Sequence, residues 1–370
     1  MLNLNNRVKP LNDQQPVRWN PNYRIVIISP NEIYVTHGLR SSFSFSIEDE
    51  QSQNILPVIV ELLQEPISRS TLLESFAAAK QEAVIKLVDD LYGVGIVIEG
   101  HVSGLPYSVY FKSDVSLPSL SVGLIGAGPL GITQLAALLS LGIGNKFLIA
   151  EGRNLQQLSS QREGLPLMFK KYFAESSTHH AFKEFGKEWL PAHVDYHVID
   201  NWSDTSLREL MKEVDLTIIA VESFLPRLLY GVNAIAHEEG RPFLSCFTDG
   251  GLGIVGPLVV PGETACFNCF GIGFEASMHQ HSQFRTYRTF MERKGTGLPL
   301  LGVLPLFEIV SGFCTDAVAR FVFSPQSTFV LNRALFVNLE ALEIDVQDIL
   351  KHPGCPVCSQ QEKLLLHPTI

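Results

Sequence analysis

Four of the six cysteines fall into two Cys-x-x-Cys pairs, Cys266 with Cys269 and Cys355 with Cys358, and no other feature restricts the fold as strongly. Each pair presents two thiolates from one turn, and two such knuckles complete a tetrahedral zinc, leaving no position for a catalytic water. If both pairs hold one ion, the C-terminal segment must fold back to wherever Cys266 sits. Separate reduced pairs or redox motifs are the competing reading. It fits less well, because redox Cys-x-x-Cys motifs normally occur singly at a helix start. Cys246 and Cys314 lie in apolar sequence and read as core residues rather than nucleophiles. His352 adjoins the second knuckle, but with four thiolates available a supporting or surface role is expected of it.

The second constraint is SVGLIGAGPLGITQLAALLSLGIG, which reads as a buried strand, a glycine turn and an apolar helix. Gly126, Gly128 and Gly131 have the GxGxxG spacing: the turn is tight, the backbone must approach a phosphate, and the helix must pack close to the strand with its N-terminus facing the anion. A second strand, KFLIAEG, ends at Glu151, where an acid commonly bonds a ribose hydroxyl. These two elements alone would also fit an NAD-dependent oxidoreductase. That fold does not call for paired zinc knuckles.

Upstream of the glycine turn the text is different. Residues 1 to 20 are rich in Asn, Gln and Pro and read as a flexible arm or a short docking strand. RIVIIS, EIYVTH and SSFSFSI then read as a small antiparallel sheet. Helical stretches follow over 51–63, 68–79 and 81–92, the last with Val84, Leu87, Val88 and Leu91 on one face, and Gly93 and Gly95 end it before the strand GIVIE. Residues 21–100 are therefore expected to form a winged-helix-like α+β module, joined by a linker over 101–119 to an α/β domain over 120–370. The third helix carries one Lys against three acids, and the chain has a formal charge of -10, so duplex DNA or other nucleic acid is not the expected partner. The polar first residues lack a secretory h-region, and Glu308, Asp316 and Arg320 interrupt the longest apolar stretch. A cytoplasmic protein without a membrane anchor is expected.

A glycine loop followed by two distant knuckles resembles the ThiF-like superfamily, which includes ubiquitin-type activating enzymes, over about residues 120 to 360. Gln161 and Arg162 in LSSQRE match its Gln-Arg element, VDLTIIAVESF matches the strand that ends on the magnesium-binding acid, and FTDGGLGIVGPLVVPGETACFNCF matches the segment entering the first knuckle. The run LPVIVELLQEPISRSTLLESF followed by VIKLVDDLYGVGIVIE resembles the leader-recognition element of ribosomally made, modified peptide pathways. Together with VGPLVVPGETAC and HPGCPVC, it places the likeness nearest the peptide-maturing members. These are the ThiF-like partners of YcaO cyclodehydratases and the microcin C and pantocin A maturation enzymes.

The resemblance implies a Rossmann-like, ThiF-type adenylating fold with a structural zinc. It implies that the glycine turn and Glu151 bind ATP, that Arg162, beside Gln161, reaches the phosphates, that Lys170 or Lys171 assists, and that Glu222 holds magnesium. Glu151, Ser159 and Glu222 stand where active members carry Asp, Asn and Asp. It further implies maturation of a bacteriocin-like precursor, either by ATP-dependent activation of the core peptide by this chain or by ATP-silent presentation of the leader to a YcaO partner. A homodimer is expected.

Overall fold

A computed structural model describes residues 14–38, 44–100, 120–126, 128–143, 146–150, 195–199, 203–294, 303–323 and 325–359. The chain divides into two compact units, Met1–Val115 and Ser116–Ile370.

In the first unit, strands β2 (Arg24–Ser29), β3 (Glu32–Thr36) and β4 (Ser44–Glu48) form an antiparallel meander with β3 in the centre. The alternation in EIYVT puts Ile33 and Val35 fully in the core, while both flanking strands are edges. Helices α1 (Leu56–Leu62), α2 (Arg69–Glu74) and α3 (Ala78–Val94) follow. The first two are shorter than the hydrophobic pattern implies. Ser68 starts α2 by accepting from the Thr71 amide, and α3 runs through Gly93 to stop at Gly95, whose φ of 78° suits only glycine well. Val84, Val88 and Leu91 are buried and Leu87 packs partly against them, so the core face read from the sequence is the one observed.

Of the two readings of residues 1 to 20, Pro16–Trp19 takes the strand: it is β1, the centre of a second sheet between β5 (Ile67–Ser68) and β6 (Val97–Glu99). Its Val17 and Trp19 are buried, and the Trp19 indole donates to the Val60 carbonyl at 3.1 Å. Four residues with two apolar positions carry too little local pattern to reveal this; the pairing comes from distant partners.

The second unit is built on an eight-stranded sheet. Its strands are β7 (Ser121–Ile125), β8 (Lys146–Ala150), β9 (Asp195–Ile199), β10 (Leu216–Val221), β11 (Phe243–Asp249), β12 (Leu252–Val259), β13 (Arg333–Asn338) and β14 (Glu343–Asp348). The spatial order is β14-β13-β12-β11-β10-β7-β8-β9. β9, β8, β7, β10 and β11 are parallel; the rest pair antiparallel. Every residue of LTIIAV in β10 is buried, as a central parallel strand covered on both faces requires. The chain runs outward from β7 through β8 and β9, then crosses to β10 on the other side of β7. The β7/β10 boundary is thus a topological switch point, where open α/β sheets leave a crevice at the carboxyl ends of the strands.

Among the described residues the helices of this unit are α4 (Pro129–Ser140), α5 (Asp204–Glu213), α6 (Pro226–Glu239), α7 (Phe267–Ser277), α8 (His281–Lys294) and α9 (Leu304–Phe323). α4 and α6 each begin with proline, whose fixed φ and missing N–H suit a first helical turn. α9 packs on α4 and β12. Among the described residues no helix is long and apolar enough to cross a membrane.

Candidate functional site

β7 and β10 end side by side, and the glycine turn leaves β7 there. Gly126 has φ +118°, and a Cβ on it would lie 2.0 Å from the Ala220 carbonyl oxygen of β10. A Cβ on Gly131 would lie 1.9 Å from the Gly126 carbonyl oxygen. These two glycines let the turn and α4 close onto the sheet. Gly128 serves a different end: a Cβ there would meet both carboxylate oxygens of Glu222 at 2.5 Å.

Glu222 follows the last residue of β10 and is only 4% exposed. One oxygen, Oε1, accepts the Leu130 amide at 2.7 Å in the first turn of α4; the other is buried with no partner among the described residues. Gly128, the helix N-cap, has no side chain to offer, so the cap comes from a neighbouring strand. Burial pushes the Glu222 carboxyl up to about 7, against the backbone amides of Leu130, Glu222 and Gly131, which favour the anion. A glycine turn, a helix start whose Leu130 amide is held by Glu222, and a carboxylate with one oxygen unmet among the described residues make a ligand set that fits a divalent cation, and a phosphate where it displaces the carboxylate from the helix start.

Glu151, Gln161, Arg162, Lys170 and Lys171 lie outside the described residues. β8 ends at Ala150, immediately before Glu151.

Two residues at this edge were not singled out from the sequence. Ser223 is fully buried and its hydroxyl has no partner among the described residues. Asp249 ends β11, one strand beyond β10; its Oδ1 is buried without a donor, and burial alone raises its pKa. The signal for Asp249 was present: Asp-Gly-Gly between two apolar runs marks a hairpin, and here Asp249 pairs with Leu252 across Gly250 at φ +65°. The hairpin sets Asp249 at the carboxyl edge of the sheet.

The four paired cysteines converge. Cys266 is the N-cap of α7 and Cys269 lies in its first turn; the second knuckle follows β14. The Sγ separations are 3.9 Å for Cys266–Cys269, 3.5 Å for Cys266–Cys355 and 3.3 Å for Cys269–Cys358, and all four sulfurs lie within 4.8 Å of one another. Sulfurs at about 2.3 Å from a tetrahedral zinc would stand about 3.8 Å apart, so the donor set fits that ion. Against burial, the amides of Cys358 and Val357 and the Cys266 and Cys358 thiols bring the Cys355 thiol down to about 7, toward the thiolate a metal needs. His352 contributes its backbone amide to Cys269 Sγ at 3.3 Å, and its exposed ring accepts from the Gly354 amide. Cys246 and Cys314 are buried against each other, apart from this cluster.

In the first unit, the outer strands β2 and β4 have no further partner strand among the described residues. β2 exposes Val26, Ile27 and Ile28 to between 46% and 58%. The solvent face of α3 carries Glu82, Lys86, Asp89 and Asp90, with Asp89 bound to Arg69 at 2.7 Å. That face is not built to meet phosphates.

No protein-family model matches the chain, and no curated protein matches it. Solved structures do. E. coli MccB crystallised with ATP superposes with a TM-score of 0.66 at 16% identity, covering 93% of this chain and 99% of that one. The microcin C7 biosynthetic enzyme MccB in complex with N-formylated MccA gives 0.66 at 15% over the same shares. The heterocyclase TruD gives 0.59 at 15%, covering 93% of this chain but 43% of that protein. By fold the chain is similar to MccB over nearly the whole of both proteins, as its ThiF-like resemblance implies.

Proposed function

We propose that this chain matures a ribosomally made precursor peptide: residues 21–100 bind the leader, and the second unit uses Mg-ATP to activate a carboxyl or amide oxygen of the core peptide. The observation that carries the reading is the pairing of the Gly126–Gly131 turn with Glu222 at the β7/β10 switch point, in a chain with the fold of MccB. The outer edges of the β2-β3-β4 meander, unpaired among the described residues, support leader capture by strand addition, in which backbone bonds give affinity and alternate side chains give specificity. The four-cysteine cluster is assigned a structural zinc that ties the C-terminal knuckle to α7.

At the site, the backbone amides of the turn and the α4 N-terminus would hold phosphate oxygens, and Glu151 the ribose. Arg162, with Gln161 and either Lys170 or Lys171, would meet the charge that grows on the phosphates as the reaction proceeds. Glu222 would hold the magnesium, which when bound offsets phosphate charge. A core-peptide oxygen attacks a phosphorus of ATP in line with the bond that breaks. Attack at the α-phosphorus releases pyrophosphate; attack at the terminal phosphorus releases ADP. The activated carbonyl carbon is then open to a neighbouring nucleophile, which expels the phosphate-bearing oxygen, so that closure of a ring removes the elements of water from the peptide. No catalytic cysteine is needed.

A second reading rests on Glu222 itself. Its carboxyl already occupies the α4 N-terminus, where a phosphate would compete with it. TruD also extends well beyond the part this chain matches, so a partner such as a YcaO cyclodehydratase would supply the activation, with this chain presenting the leader. Purified protein, the precursor encoded beside its gene and Mg-ATP decide between them. Release of AMP or ADP with loss of water from the peptide, abolished by Arg162→Ala while leader binding persists, supports the autonomous enzyme. No turnover alone, but turnover with the partner and no effect of Arg162→Ala, supports the scaffold.

A further inference from the structure

The phosphate-facing half of the site does not account for Asp249. Val221 of β10 pairs with Phe247 of β11, so Asp249 stands two residues further along β11, level with the segment where Glu222 and Ser223 leave β10. It shares a face of its strand with Phe247, and Phe247 packs on Phe224 at 5.9 Å between ring centroids. Phe224 stacks in turn toward Phe284 at 6.1 Å, and Phe284 toward Tyr287 at 6.5 Å. A wall of rings therefore runs from the residue after Ser223 to α8. The Tyr287 phenol, at the far end of this wall, is pushed up to about 12, first by burial and then by the negative charge of Asp249. Yet among the described residues Asp249 Oδ1 is buried with no donor.

A buried acceptor left unmet costs roughly 1–3 kcal/mol, and folded proteins keep few of them. An orphan carboxylate oxygen beside an aromatic wall, one strand from the phosphate cradle, is completed by a ligand that brings an N–H group and a flat or aliphatic stem. We infer that Asp249, with Tyr287 and the Phe224–Phe284 wall, forms the subsite that selects the core-peptide residue presented at the β10 edge, and that its ligand is a side chain bearing an N–H donor, amide or ammonium. A carboxylate side chain is rejected there by like charge. The inference rests on the peptide-maturation reading and names the specificity of that same site.

The test is isothermal titration of the full chain with synthetic precursor peptides in which each core position in turn is Asn, Lys, Leu or Asp, alongside the leader alone. Wild type binds the Asn and Lys forms at one position about 10-fold or more tighter than the Asp form, as expected for a hydrogen bond to a charged group. Asp249→Asn, which preserves shape, reduces the preference for Lys over Asp. Asp249→Lys reverses it. The leader alone binds all three proteins equally, and matching circular dichroism and thermal melts of the three full chains show that the second unit of each is folded. If the leader binds but both variants keep the wild-type preference, or wild type has none, Asp249 is not the selector and this inference alone falls. If the leader does not bind wild type, the peptide-maturation reading falls and takes the inference with it.

Discussion

The second unit contains two sites of opposite character. At the knuckles every ligand faces another ligand at metal spacing, and Cys266, Cys269 and Cys355 belong to the same core cluster as Phe267, Phe270 and Ile349. At the carboxyl edge of β10 and β11 the polar groups are buried but incomplete, with Glu222 Oε2, Ser223 Oγ and Asp249 Oδ1 all lacking partners among the described residues. A site that only holds the fold together closes on itself. A site that handles a substrate keeps unmet acceptors and donors, held in place by packing around them, because the ligand is to supply what is missing.

The largest effect expected from breaking this contrast is at the turn that both sites depend on for the sheet. Gly131→Ala drives a methyl group against the Gly126 carbonyl and costs on the order of 4 kcal/mol or more, since neither backbone can retreat. Gly231→Ala in α6, where a Cβ meets nothing within 4 Å, is neutral or slightly stabilising. Urea denaturation of the two variants measures both, and equal stability would mean the turn is not closed as described.

Next comes the knuckle. Cys355→Ser lowers the zinc content of purified protein well below about one ion per chain and destabilises it by several kcal/mol, because the thiolate set is opened and the C-terminal segment is released from α7. Metal analysis with thermal melting checks this; wild type that folds fully without zinc contradicts the assignment.

Glu222→Gln gives a smaller effect of opposite sign. A carboxyl raised by burial to about 7 favours its protonated form in the fold, so its stabilising influence is complete below the unfolded value near 4.5 and is lost as pH rises through about 7. Gln keeps an acceptor for the Leu130 amide and does not ionise. In EDTA the variant therefore melts with wild type at pH 4 and higher than wild type at pH 8, by a margin on the order of 3 kcal/mol at most. If Glu222 also binds the magnesium of ATP, the same variant loses turnover. Stability gained and activity lost together would identify a functional carboxylate; identical melting at both pH values would show that the carboxyl is hydrated.

The mildest prediction concerns the first unit, which has its own core around Ile33, Ile59, Leu72 and Val88. A fragment of residues 14–100 binds the leader nearly as tightly as the full chain and loses affinity when the apolar residues of the leader become Asp, as fluorescence anisotropy would report. Tight binding of duplex DNA with a steep salt dependence would reassign this unit.

Local pattern carried much of this molecule. The Cys-x-x-Cys pairs, the Gly126–Gly131 turn, the meander strands and the buried face of α3 are each encoded within a short stretch, where spacing alone fixes what the backbone or the ligand set can do. What depends on residues far apart in sequence was not legible. β1 pairs as it does because Ile67 and Ile98 lie beside it, and although spacing already joined the two knuckles in one ion site, only the sheet reveals that β13 and β14 carry the chain back to α7. Glu222 caps α4, and Asp249 is left unmet, only because parallel strands of different loops end at one edge. Composition and spacing determine which groups a chain has and how each short segment folds. Which of those groups end up satisfied, and which are held waiting, is decided by the packing of the sheet, since burial and the loss of water partners exist only in the folded whole.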